Sequence, residues 1–166
     1  MAIEEITDAR IAELISIPKE VVRGNPVPSD KGGHLQQNFD AVSADGRHFS
    51  IYTRQLKKIE DDFSCGIYWA TPGGEKLTLR RYNGSSHLHP NRIEGTDTAG
   101  TDDSNSCHIH EATERYIRAG MKPEGYAEPT ERYATLRDAV ACLVKDCNVV
   151  GLVYEEPQMS LLDNEP

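Results

Sequence analysis

The chain has 166 residues, 27 Asp and Glu against 18 Lys and Arg, a net charge of −9 and 37% hydrophobic residues. That length predicts one compact domain, and the acidic balance argues against a broad nucleic-acid-binding surface, which needs a field of Lys and Arg. No apolar stretch is long enough to span a bilayer, and the acidic opening Met1-Ala2-Ile3-Glu4-Glu5 is unlike a secretion signal, so the expectation is a cytoplasmic protein with no membrane partner.

Residues 8–17 predict a short amphipathic helix with Thr7 as N-cap, Ile11, Leu14 and Ile15 as its apolar stripe, and Pro18 as its stop. Residues 24–33, rich in Gly and Pro, read as a connector. Leu35–Ser43 and Arg47–Gln55 flank Asp45-Gly46, the dipeptide of a tight β-hairpin turn. Phe63–Ala70 and Lys76–Tyr82 read as two further strands, the last placing Leu77 and Leu79 on one face and Thr78 and Arg80 on the other. A second helix is predicted over 136–147, capped by Thr135, with Leu136, Val140, Leu143 and Val144 facing the core. Val149–Tyr154 suggests a last strand, Tyr116, Tyr126 and Tyr133 are expected along the outside of the sheet, and Trp69 in the core. The fold class is α+β: an antiparallel meander of four to five strands (34–82), helices packed on one face, and a long His-flanked loop (83–106). One domain over 1–154 precedes a polar tail over 155–166.

Charge is uneven along this chain. Residues 75–92 hold Lys76, Arg80, Arg81 and Arg92 against Glu75 alone, whereas residues 93–114 hold Glu94, Asp97, Asp102, Asp103, Glu111 and Glu114 with no Lys or Arg. The four cysteines (Cys65, Cys107, Cys142, Cys147) form no C-x-x-C pair and are expected to be reduced, with Cys142 on the apolar side of its helix.

Four of the six histidines form two H-x-H pairs, His87-Leu88-His89 and His108-Ile109-His110, at the two ends of the long loop. In extended chain, i and i+2 side chains share a face, so each pair presents two imidazoles together. Three chemistries fit. Imidazoles titrate near neutrality and can act as general acid and base on a phosphodiester, with Arg81 or Arg92 holding the developing charge and Asn83 nearby; metal-independent RNA cleavage needs little else, because the 2′-hydroxyl is the nucleophile. Alternatively the pairs hold a transition metal, with Cys107 as a soft ligand and Asp102 and Asp103 as carboxylates. Third, the histidines hydrogen-bond to backbone at the base of the loop; His34 and His48, on predicted strands, are read this way.

The string His108-Ile-His110-Glu-Ala-Thr-Glu-Arg115-Tyr116, with Ala119-Gly120, Lys122-Pro-Glu-Gly-Tyr126-Ala-Glu-Pro129-Thr130 and Asp146-Cys147-Asn148, resembles a family of small bacterial and phage-borne domains of unknown function. Arg81-Tyr82-Asn83-Gly84, Asn91-Arg92 and Ile17-Pro18-Lys19 fit the same pattern, and Cys107 stands where that pattern has proline. More distantly, the order strand, Arg-Tyr-Asn, His-rich loop, His-x-His, helix is similar to the TumE-type toxins of toxin–antitoxin pairs. That resemblance implies an RNA-directed activity with His87, His89, His108 and His110 as catalytic positions and Arg81 and Arg92 on phosphate. The alternative expectation is a non-enzymatic acidic inhibitor of a basic protein, of anti-defence, anti-CRISPR or antitoxin type, with Asp97, Asp102 and Asp103 at the partner surface. A third is a metal-binding structural domain built on the histidine pairs.

Overall fold

The computed structural model describes residues 2–24, 27–86, 88–97 and 106–156. After a 3₁₀ turn at Ile3–Glu5 come α1 (Asp8–Ser16), β1 (Lys19–Gly24), β2 (Ser29–Lys31), β3 (His34–Ser43), β4 (His48–Leu56), β5 (Phe63–Ala70) and β6 (Lys76–Asn83). They are followed by β7 (Pro90–Asn91), β8 (Thr96–Asp97), β9 (His108–Glu111), α2 (Glu114–Arg118), β10 (Tyr126–Pro129), α3 (Leu136–Asp146) and β11 (Val149–Val150). Among the described residues, no helix is long and apolar enough to cross a membrane.

The meander β3–β6 forms as its alternation predicts, with Gly46 at φ 87° in the β3–β4 turn, a conformation that suits glycine. It is only the middle of the sheet. A nine-stranded sheet runs in the order β10-β9-β6-β5-β4-β3-β1-β11, with β2 also paired to β3, so four to five strands is an underestimate. The additional strands are two to six residues long, too short for a periodic signal, and β11 joins by a parallel pairing of Val149 and Val150 with Lys19 and Glu20. On the opposite edge, β10 ends in Pro129, which has no backbone N–H to donate and so suits an edge strand.

One face of the sheet is the core: Phe39, Phe49, Ile51, Cys65, Ile67, Trp69, Leu77 and Leu79 pack with Ile11, Leu14 and Ile15 of α1 and Leu136, Ala139, Val140 and Leu143 of α3. Both helices start at the expected caps; Thr7 Oγ1 accepts from the Arg10 N–H and Thr135 Oγ1 from the Asp138 N–H. Their C-termini are tied together by the buried Lys19, whose ammonium donates to the carbonyls of Ile15 (2.9 Å), Ile17 (2.8 Å) and Cys147 (2.9 Å). Burial draws the Lys19 pKa down to about 8. Trp69 is buried, as expected. Tyr116 and Tyr133 are buried too, rather than lying outside the sheet, and Tyr133 packs between Phe63 and Tyr82.

A register shift in β6 corrects one assignment that bears on function. Thr78 pairs with Tyr68 but Arg80 pairs with Ile67, so Leu79 is the extra residue of a bulge. The phase is reset there. Arg80 lies on the helix side, where it reaches Glu111 (2.9 Å) and Asp146 of α3 (3.3 Å), and Arg81 lies on the face that carries no helix. The loop over 83–106 carries a small hairpin of β7 and β8. Of the tail, only Glu155 and Glu156 are among the described residues, both exposed.

Candidate functional site

Pairing of β6 with β9 sets Arg81 beside His110 and Asn83 beside His108, so sheet register gathers these four on the open face. In β9 the alternation buries both histidines, 0% and 1% exposed, while Ile109 and Glu111 turn to the helix side. The segment after β6 folds back over them. His89 lies with its ring centroid 4.4 Å from His110 and 5.9 Å from His108, which are 5.1 Å from each other. Asn91 fastens that segment by accepting from the Ala127 N–H (2.9 Å) and donating to its carbonyl (2.7 Å), which closes the exposed edge of β10.

The tautomers follow from the partners, since a backbone carbonyl only accepts. His108 Nδ1 faces the Ser106 carbonyl at 3.0 Å and His110 Nδ1 the Glu124 carbonyl at 2.8 Å, so both rings carry hydrogen on Nδ1. His89 gives its Nε2 hydrogen to the Gly125 carbonyl at 2.7 Å. The remaining nitrogens of His108 and His110 accept. The Asn83 amide donates to both (3.3 and 3.4 Å), and Arg81 Nη2 stands 3.3 Å from His110 Nε2. Burial, reinforced by the Arg81 cation, pulls the His110 pKa down to about 2. His110 is therefore neutral at pH 7 and has no proton to give as a general acid. Its Nε2, like that of His108, faces the Asn83 amide, and Arg81 Nη2 stands beside it.

On the far side of Arg81 stands Glu124, a buried carboxylate 3.7 Å from the guanidinium. Beneath the cluster, the Tyr133 hydroxyl lies 2.9 Å from both the Asn83 and His108 carbonyls and locks β6 to β9 from the core side. Two buried atoms of the cluster, Asn83 Oδ1 and Arg81 Nε, have no hydrogen-bond partner among the described residues, each at a cost of about 1–3 kcal/mol. Arg81 and Asn83 also line a cavity of about 490 Å³ over the open face, together with His34, Tyr52 and Arg54.

Of the residues singled out from sequence, His89, His108, His110, Arg81 and Asn83 come together. Arg92 is exposed in the β7–β8 turn, and among the described residues no hydrogen bond or ion pair joins it to the cluster. Asp97 is in β8, opposite Pro90. His87, Asp102 and Asp103 lie outside the described residues. Cys107 is buried and free of any disulfide. Among the described residues no group of three or more His, Cys, Asp or Glu side chains is arranged to hold a metal ion. Glu124, Tyr133, Tyr52 and Arg54 carry no local motif; strand pairing brings Tyr52 and Arg54 to the site, and the connections before β10 and α3 bring Glu124 and Tyr133.

No protein-family model matches the chain, and no curated protein or solved structure matches it.

Proposed function

We propose that the protein is RNA-directed and toxin-like, with the open-face cluster of histidines, Asn83 and Arg81 as its reacting centre. The observation that carries this reading is the convergence of Arg81, Asn83, His89, His108 and His110 from three chain segments onto one helix-free face. A phosphodiester of RNA brings its own nucleophile in the 2′-hydroxyl, so a site needs a group that moves a proton and a cation that holds the charge developing on phosphorus. Arg81 supplies the cation. His89, only half-buried and packed against His110, is the imidazole suited to move the proton, while His108 and His110 act as positioning residues. The net charge of −9 confines RNA capture to this locally basic face, so binding should be weak and sensitive to salt.

The test is incubation with a 20-nucleotide single-stranded RNA, comparing wild type with His89→Ala, with melting temperatures recorded for both. The expected result is cleavage by the wild type and a loss of about 10²–10⁴ in rate for the variant at unchanged melting temperature. RNA left both unbound and intact by the wild-type protein contradicts the proposal.

A further inference from the structure

The open face next to the cluster is a trough, and its shape follows from side-chain size. Along the first half of the central strand β5 the outward residues are Ser64 and Gly66, both small, before Tyr68 follows, whereas the outward residues beside them are Tyr52 and Arg54 on β4 and Arg81 and Asn83 on β6. Small residues between two rows of large ones leave a channel. Gly66 makes room for the Tyr52 ring: a Cβ there would come within 2.7–2.9 Å of the ring and hydroxyl, so the ring lies across the bare backbone of β5 and forms part of the trough's lining. The resulting cavity of about 490 Å³ is within the range of small-ligand sites.

Its chemistry runs against that of the molecule as a whole. In a chain of net charge −9, the cavity is lined by Arg54, Arg81 and His34 with Asp62 as its one carboxylate. Arg54 is exposed and makes no hydrogen bond or ion pair among the described residues. A guanidinium without a partner beside an aromatic ring is what a nucleotide requires, since phosphate takes the fork of Arg and a base stacks on the ring.

We infer that this trough is a nucleotide subsite for single-stranded RNA, with a base stacked on Tyr52 and a phosphate on Arg54, feeding the chain toward Arg81 and the histidines. The inference rests on the RNA reading above and deepens it. Gln36 and Asn83 along the walls and Ser64 on the floor offer polar partners for a ribose hydroxyl, so RNA should be preferred to DNA of the same sequence.

Fluorescence anisotropy with a labelled ten-nucleotide oligouridine, and its deoxy counterpart, tests this on the full chain. Arg54→Glu should weaken binding at least tenfold, and Tyr52→Leu by about 5- to 150-fold, the range that one lost stacking contact spans. Lys145→Glu, an equal charge change on exposed α3 on the opposite side of the sheet, should leave binding within about twofold. Melting curves confirm that each variant is folded; Arg54 is exposed, so its variant keeps the test valid even if Tyr52→Leu does not fold. Wild-type binding that Arg54→Glu leaves intact, or that Lys145→Glu weakens equally, overturns the subsite while leaving the RNA reading standing. No binding by the wild type overturns both.

Discussion

Arg80 and Arg81 are neighbours in one strand, yet they belong to two clusters of opposite character. Arg80, on the helix side, is held by Glu111 and Asp146, and Asp146 in turn takes two hydrogen bonds from Arg132 and one from the Tyr82 hydroxyl. Each charge there has an opposite charge beside it. Arg81, on the open side, has one carboxylate at 3.7 Å, a neutral imidazole at 3.3 Å, and a buried Nε without a partner among the described residues. A cluster whose charges are all matched holds strands and helix together and offers nothing to a ligand. One whose cation is only loosely matched and lines a cavity keeps charge to offer a ligand.

The largest expected effect that separates the two comes from Arg80→Ala. It leaves Glu111 and Asp146 without their shared cation in a partly buried setting and should cost about 3 kcal/mol in urea unfolding. Arg81→Ala also leaves a carboxylate, Glu124, without its cation, but across a longer 3.7 Å contact and with no second acid, so it should cost less than Arg80→Ala while abolishing RNA cleavage. Equal stability losses at the two positions would erase the distinction between the clusters.

Acid sharpens the comparison. The folded His110 pKa, about 2, lies below its unfolded value near 6.5, so the unfolded chain binds the extra proton and stability falls as pH drops below 6.5. The loss from His110 should reach about 2 kcal/mol at pH 5. Asp146 is also held below its ordinary 3.8, despite the opposing effect of burial, by its hydrogen bonds from Arg132 and Tyr82; the stability it contributes is present above that value and is lost only at lower pH. Urea midpoints from pH 7 to pH 3 should therefore fall first with the histidine side and later with the ionic side. His110→Gln should remove most of the early phase. A flat profile between pH 7 and pH 5 in the wild type would mean that His110 is not held neutral.

The smallest expected effect is at the joint between the clusters. Tyr133→Phe keeps the ring against Phe63 and Tyr82 but removes the hydroxyl shared by the Asn83 and His108 carbonyls, for about 1 kcal/mol. If Tyr133 does align the two strands for function, the variant should lower RNA cleavage more than its stability loss accounts for.

The parts of the molecule legible in the sequence are those whose information is local. Alternation over residues 35–82 and the Asp45-Gly46 turn specify the meander, and Thr7 and Thr135 cap both main helices where expected. The H-x-H spacing correctly places His108 and His110 on one face of a strand. What escaped is set by pairing between distant segments. Lys19 opens a strand as a buried cation because two helix C-termini meet over it. Arg80 turns toward the helices because a bulge at Leu79 shifts the phase, which no two-residue period predicts. His34, read as structural, lines the trough, and Glu124 reaches the site through the connection between α2 and β10. Arg92, adjacent in sequence to the cluster, is carried away from it by the β7–β8 turn.

The most direct test of the central claim is to follow the imidazole nitrogens of ¹⁵N-histidine-labelled protein while single-stranded RNA is added. Before addition, the bonds to backbone carbonyls place a hydrogen on Nδ1 of both His108 and His110, and the Asn83 amide donates to both Nε2 atoms. If the cluster is the reacting centre, their signals and that of His89 shift saturably with RNA, whereas exposed His48 does not move. Imidazole signals of the cluster that stay fixed through RNA concentrations of several hundred micromolar (on the scale of weak non-specific binding) would contradict it.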